Sequence, residues 1–219
     1  HTTFADAQGR TRARSLVKET PAGATRQYVW TGFRPGTYLY HSGSQPALQV
    51  QMGLHGMLKQ DAVAGRAYGV PYANETTWFF SEIDLDVHAA VRAGTYGTTV
   101  KSMIHSVPEI YLLNGEPYQV GELQLAANQT NLLRLLNACF DERIVVLNGY
   151  HLTLLAEDGR QYPYPKVEAA VNLPALKTRD GVLASTQADT VKVFDRRILT
   201  EVNYVPPPDV TPPTLLSAT

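Results

Sequence analysis

The side chains best suited to transition-metal chemistry in this chain are six histidines, at positions 1, 41, 55, 88, 105 and 151, and one cysteine, Cys139. Imidazole and thiolate are the side-chain ligands that suit borderline and soft transition metals. The pattern that stands out is Gly36-Thr37-Tyr38-Leu39-Tyr40-His41-Ser42-Gly43, followed by Met52-Gly53-Leu54-His55-Gly56-Met57-Leu58. It predicts a β-strand ending on His41, a loop, and a second strand that opens on glycine. His41 is thereby the first metal candidate, the alternative being a strand-end imidazole hydrogen-bonded to backbone. No His-x-His pair occurs anywhere in the chain. Glu82, Asp84, Asp86, Glu157 and Asp158 could offer hard oxygen ligands to Mn or Fe, or be ordinary surface carboxylates.

The elements that must position these groups read as strands. Short runs of β-branched and aromatic residues are separated by Gly, Pro, Asn and Asp, at the spacing of sandwiches and barrels. The first series comprises residues 26–30, 37–41 and 53–59. A boundary falls near residue 67, where the composition turns loop-like. The second series comprises residues 76–82, 109–113, 132–136, 144–147, 151–156, 167–173 and 190–194, with tight turns at Asn114-Gly115 and Asn148-Gly149. One helix is predicted, over 86–93, with Asp84 or Asp86 as N-cap and Gly94 past its end. From Pro206 the chain is rich in proline and reads as an extended linker or tail.

At 219 residues and 44% hydrophobic content the chain can bury substantial cores. A net charge of −1, from 19 basic and 20 acidic residues, gives no electrostatic case for nucleic acid or an anionic membrane as partner. The longest apolar runs, such as Ile144-Val145-Val146-Leu147, are far shorter than the roughly 20 residues of a transmembrane helix. A lone cysteine excludes an intrachain disulfide framework.

Five segments together resemble the multicopper oxidases. Trp30-Thr31-Gly32-Phe33-Arg34-Pro35 and the strand to His41 resemble the end of a first cupredoxin domain in that family. Phe79-Phe80-Ser81-Glu82-Ile83-Asp84 resembles the entry to the second domain. Tyr111-Leu112-Leu113-Asn114-Gly115-Glu116-Pro117-Tyr118, Leu133-Arg134-Leu135-Leu136-Asn137-Ala138 and Leu154-Leu155-Ala156-Glu157-Asp158-Gly159 resemble successive strands and turns within it. The likeness runs from about residue 25 to residue 200. It implies an all-β fold of cupredoxin-like Greek-key β-sandwiches, one incomplete and one complete. The expected division is 1–66 for the later part of a first domain, 67–200 for a second, and 201–219 for a proline-rich tail.

The resemblance implies copper as cofactor and His41 as the first position of a copper-binding pair whose second position is Gly43. His1, forty positions earlier, would likewise keep one member of a pair; as a mature N-terminus it could instead brace a copper with its amine and ring. Cys139 is not a type 1 copper thiolate, because the next histidine is His151, twelve residues on, and no methionine follows it. A buried inert thiol is expected there. His55 falls where the family has no ligand, and His88 is expected on a solvated helix face. The incomplete first domain would expose strand edges and an apolar face, so another copy or another polypeptide is expected to complete it. Two functions follow: part of an extracytoplasmic oxidase of a phenolic or metal-ion substrate, or a copper-free cupredoxin-scaffold module for assembly at a cell surface.

Overall fold

Residues 131–137 are buried without alternation. A strand covered on one face alone would alternate, so this one must be covered on both. In the computed structural model, which describes residues 2–5, 8–15, 20–29, 31–100, 102–117 and 121–195, it lies at the centre of a layered β structure. His1, Trp30, Tyr118 and the tail from 201 lie outside the described residues.

In chain order the elements begin with a hairpin of β1 (Thr2–Ala5) and β2 (Thr11–Ser15). A second hairpin follows, with β3 (Gly36–His41), α1 (Pro46–Gln51) and β4 (His55–Gln60), and then the short pair β5 (Arg66–Ala67) and β6 (Val70–Pro71). The sandwich proper opens with β7 (Asn74–Ile83), α2 (Leu85–Arg92), β8 (Ile110–Leu113), β9 (Glu116–Pro117), β10 (Gly121–Leu125) and β11 (Gln129–Asn137). It closes with β12 (Arg143–Leu147), β13 (Leu152–Glu157), β14 (Arg160–Glu168), β15 (Ala170–Leu173), β16 (Thr178–Ser185) and β17 (Asp189–Asp195). Seven strands form one sheet in the order β14-β13-β16-β11-β7-β8-β9, and four form the other in the order β10-β17-β12-β15. β7 and β11 pair in parallel, while their other strand neighbours, β8 and β16, are antiparallel.

The core fills the space between the two sheets: Trp78, Phe80, Leu133 and Leu135 meet Leu123, Val145, Leu147, Val171 and Val191. Alternation along β11 turns Leu132, Arg134 and Leu136 to the opposite face. There the β3–β4 hairpin lies across the seven-stranded sheet, which explains the burial of both faces. Gly181, in β16 beside β13, leaves room for Leu152; a Cβ on it would come within 2.7 Å of Leu152 Cγ.

The sequence-predicted turns divide by mechanism. Asn114 and Gly115 both adopt positive φ and close the β8–β9 hairpin, whereas at Asn148-Gly149 only the glycine does. Asp84, rather than Asp86, caps α2 by accepting a hydrogen bond from the Val87 amide at 3.0 Å. The strand expected over 26–30 is not formed, since residues 26–29 are irregular. α1, β10 and β16 are elements that the hydrophobic pattern does not announce.

Candidate functional site

His41 ends β3 with an exposed ring whose Nδ1 lies 2.9 Å from the Ser42 carbonyl. That hydrogen bond requires Nδ1 to carry the proton and leaves the Nε2 lone pair available. Opposite it in the antiparallel register stands His55. Its ring packs edge-on against Phe79 of β7, with centroids 5.1 Å apart. Its Nδ1 is buried without a hydrogen-bond partner. Burial and the neighbouring His41 charge both push the His55 imidazole below its ordinary range, so it favours the neutral form. Sequence reasoning set His55 aside; only the register of the hairpin brings the two rings together.

Two features hold the hairpin in place. At its inner end, Arg134 of β11, 1% exposed, donates from Nη1 to Thr37 Oγ1 at 2.8 Å and from Nη2 to Asp61 at 2.7 Å. Thr178 of β16 donates to the Thr37 carbonyl at 2.9 Å. Glu75 and Asp180 complete the acidic surround of the guanidinium, at 3.4 Å and 3.8 Å. Burial alone would lower the Arg134 pKa, but hydrogen bonding and the charges of Asp61 and Asp180 outweigh it and keep the group ionised. Tyr68 donates to Asp180, and burial with that carboxylate pushes its phenol up, so it remains a donor. Lys59 of β4 also pairs with Glu75.

At its outer end the link is α1. Pro46 occupies the first turn, where a missing N–H is harmless. The Gln51 carbonyl receives a hydrogen bond from His88 Nε2 at 3.0 Å. The Gln51 amide donates to the Glu82 carbonyl and accepts from the Asp84 amide. His88 is therefore a tether between α2 and α1 rather than part of a solvated helix face.

The acidic candidates are likewise engaged. Glu82 and Asp84 are buried. Glu82 pairs with Arg143 at 2.8 Å and accepts from the Phe140 amide at 2.6 Å. Asp84 accepts from Val87, Ser106 and Val107; these bonds outweigh burial, which would raise its pKa, and hold the carboxyl below the usual range. Asp158 sits in the β13–β14 turn beside Lys177, and Glu157 beside Arg179. Cys139 is buried, as expected, beside an apolar cavity of about 190 Å³ lined in part by Val50, Met103 and Leu176. Its Sγ receives Nε and Nη2 of Arg143 at 3.2 Å and 3.0 Å. His105 closes a 3-10 turn and His151 precedes β13. Among the described residues no three His, Cys, Asp or Glu side chains gather as metal ligands.

No family model and no curated sequence matches this chain. Solved structures do. A blue copper oxidase from Nitrosomonas europaea superimposes with a TM-score of 0.66 at 15% identity, over 90% of this chain and 60% of that one. A copper nitrite reductase from Nitrosomonas europaea gives 0.57 at 16%, over 91% of this chain and 68% of that one. A laccase from Botrytis aclada gives 0.53 at 20%, over 71% and 30%. The chain has the cupredoxin fold of the multicopper oxidases. It spans 60% of the blue copper oxidase and less than a third of the laccase.

Multicopper oxidases bind copper at centres of defined ligand chemistry. A type 1 centre needs a thiolate with two imidazoles. Here the thiol faces a guanidinium, a hydrogen-bond donor with no lone pair for a metal. A trinuclear centre needs paired histidines, whereas His41 is followed by Ser42-Gly43. Neither centre fits within the described residues. What the hairpin does offer is one cross-strand pair of imidazoles.

Proposed function

We propose that this chain is a portion of an extracytoplasmic multicopper-oxidase-type oxidoreductase, made of the later part of a first cupredoxin domain, residues 1–66, and a second domain, residues 67–200. The whole protein would oxidise a phenolic or low-valent metal-ion substrate, four one-electron oxidations balancing the reduction of one dioxygen to two waters. The chain's own part in that reaction is positional. Its sandwich forms a rigid seat, and the hairpin fixed on that seat presents His41. The observation that supports this reading most is His41 itself, exposed at a strand end with one ring nitrogen tied to backbone and the other available. The ligands that complete an oxidase centre would come from another copy of the chain or from polypeptide outside residues 1–219. Residues 201–219 serve in this reading as a proline-rich linker or tail.

Oxygen consumption by the native assembly, with a phenol, Fe(II) or Mn(II) as reductant, tests the proposal. Activity that His41→Ala abolishes is the expected result. An assembly that consumes no oxygen with any of these reductants overturns the oxidase reading.

A second reading, a copper-free cupredoxin module that assembles through its surface, is favoured by the Arg134 network, because protein groups alone suffice to fix the hairpin. β3 and β4 pair only with each other among the described strands. Their outer face carries Tyr40 and Leu58, 55% and 38% exposed. Such an edge and face suit strand addition from a partner. If Tyr40→Lys dissociates the native assembly while oxygen consumption is absent from the start, this second reading holds.

A further inference from the structure

We propose that His41 and His55 form a binding site for one late first-row divalent cation, Cu(II) or Zn(II), built by the β3–β4 hairpin from this chain's residues alone. The inference goes beyond the oxidase reading, because it needs no partner, no other copper and no redox step.

The register of the hairpin sets His41 opposite His55. The Ser42 amide bonds to the Leu54 carbonyl at 3.0 Å, which makes Ser42–Leu54 a hydrogen-bonded rung of the ladder. The adjacent rung, His41–His55, is therefore a non-hydrogen-bonded one. On such rungs opposed residues are nearest, with Cα atoms about 4.5 Å and Cβ atoms about 4.5–5.5 Å apart. Two imidazoles rooted that close can converge on one ion with metal–nitrogen bonds of about 2.0–2.1 Å.

Nitrogen chemistry supplies the donors. The Ser42 carbonyl holds the proton of His41 on Nδ1, so Nε2 carries the lone pair, and that carbonyl is the type of outer partner that orients a ligating histidine. On His55 it is Nδ1 that is buried without a hydrogen-bond partner, an arrangement a coordinated cation would complete. The edge of Phe79 restrains the His55 ring and offers no competing donor or acceptor. Arg134 and its carboxylates fix the strands that carry both rings, so the pair is preorganised at the far end of a docked hairpin. Imidazole selects copper, zinc and nickel over the hard cations, and water would fill the remaining coordination positions.

The test is titration of the 219-residue chain with Cu(II) and, separately, Zn(II), followed by calorimetry and by electron paramagnetic resonance of the Cu(II) form. The expected result is one equivalent bound, with hyperfine coupling to two imidazole nitrogens. His41→Gln and His55→Phe should each weaken it by roughly 10²-fold, since either change removes the chelate effect of two ligands on one rigid element. Phenylalanine at 55 keeps the packing on Phe79, and circular dichroism checks its fold. Histidine ring nitrogen resonances of the unaltered chain give a readout that needs no variant: Zn(II) should shift His41 Nε2 and His55 Nδ1. Binding that survives in His41→Gln/His55→Phe, that depends on one histidine only, or that shifts other histidines overturns the proposal. So does the absence of binding. Failure here leaves oxygen consumption by the native assembly unaffected, which keeps the two readings separable.

Discussion

Replacement of Arg134 by methionine tests how the hairpin is held. Methionine keeps most of the aliphatic stem and removes the guanidinium, which donates to Thr37 at 2.8 Å and to Asp61 at 2.7 Å and lies 3.8 Å from buried Asp180. A hydrogen bond to a charged group contributes about 1.5–3 kcal/mol, so two give roughly 3–6 kcal/mol. Breaking a buried ion pair by removing one partner costs about 3–5 kcal/mol, and much of that is the same interaction counted differently. The expected loss is therefore about 3–5 kcal/mol. For a chain of this size each kcal/mol shifts Tm by about 2–4 °C, so the midpoint should fall by roughly 6–20 °C. Denaturant unfolding gives the free energy, and amide hydrogen exchange gives its location. The amides of β3 and β4 should lose protection before those of β11 and β13. A loss below about 1 kcal/mol, or hairpin protection equal to that of the unaltered chain, would show that the network does not dock the hairpin.

Two other substitutions probe the second anchor. Glu82→Gln removes the charge that Arg143 Nη2 meets at 2.8 Å and should destabilise the chain by about 1.5–3 kcal/mol in urea unfolding, whereas an effect near zero would remove Glu82 from the structural account. Asp84→Asn should lose about 1–3 kcal/mol at neutral pH, because the asparagine oxygen can still cap α2 but its NH2 cannot accept from Ser106 and Val107 as the second carboxylate oxygen does. Because the Asp84 carboxyl is held below its ordinary range, its stabilisation is complete above about pH 4 and is lost as pH falls through the native value. Asp84→Asn should flatten that acid limb of the stability profile, and an unchanged limb would assign it to other groups.

Much of the sandwich is legible locally. Asn114-Gly115 and Asp158-Gly159 announce hairpins because both residues of each pair adopt positive φ. Asp84 announces a helix start because its carboxylate can reach the third amide beyond it. What escapes is long-range. β16 contains Arg179, Asp180 and Gly181, which interrupt the hydrophobic pattern, yet Asp180 is buried through Tyr68 and Arg134, more than a hundred and nearly fifty positions away in sequence. Glu82 and Asp84 read as surface carboxylates because their partners, Arg143 and Ser106, lie 61 and 22 positions away. The His41–His55 pairing depends on the register across a connection that contains α1, and no spacing rule for a tight hairpin predicts it. His41 itself is legible because a histidine at the end of a strand is a local feature.

If this cupredoxin-fold chain works as part of a larger copper assembly, with oxidase centres that draw on ligands outside it, the native assembly must hold copper. The most direct measurement is the copper content of the purified native assembly by elemental analysis, taken with its intact mass. A mass well above 24.1 kDa and several coppers per assembly are the expected result. A 24.1 kDa monomer that holds no copper as isolated would contradict it.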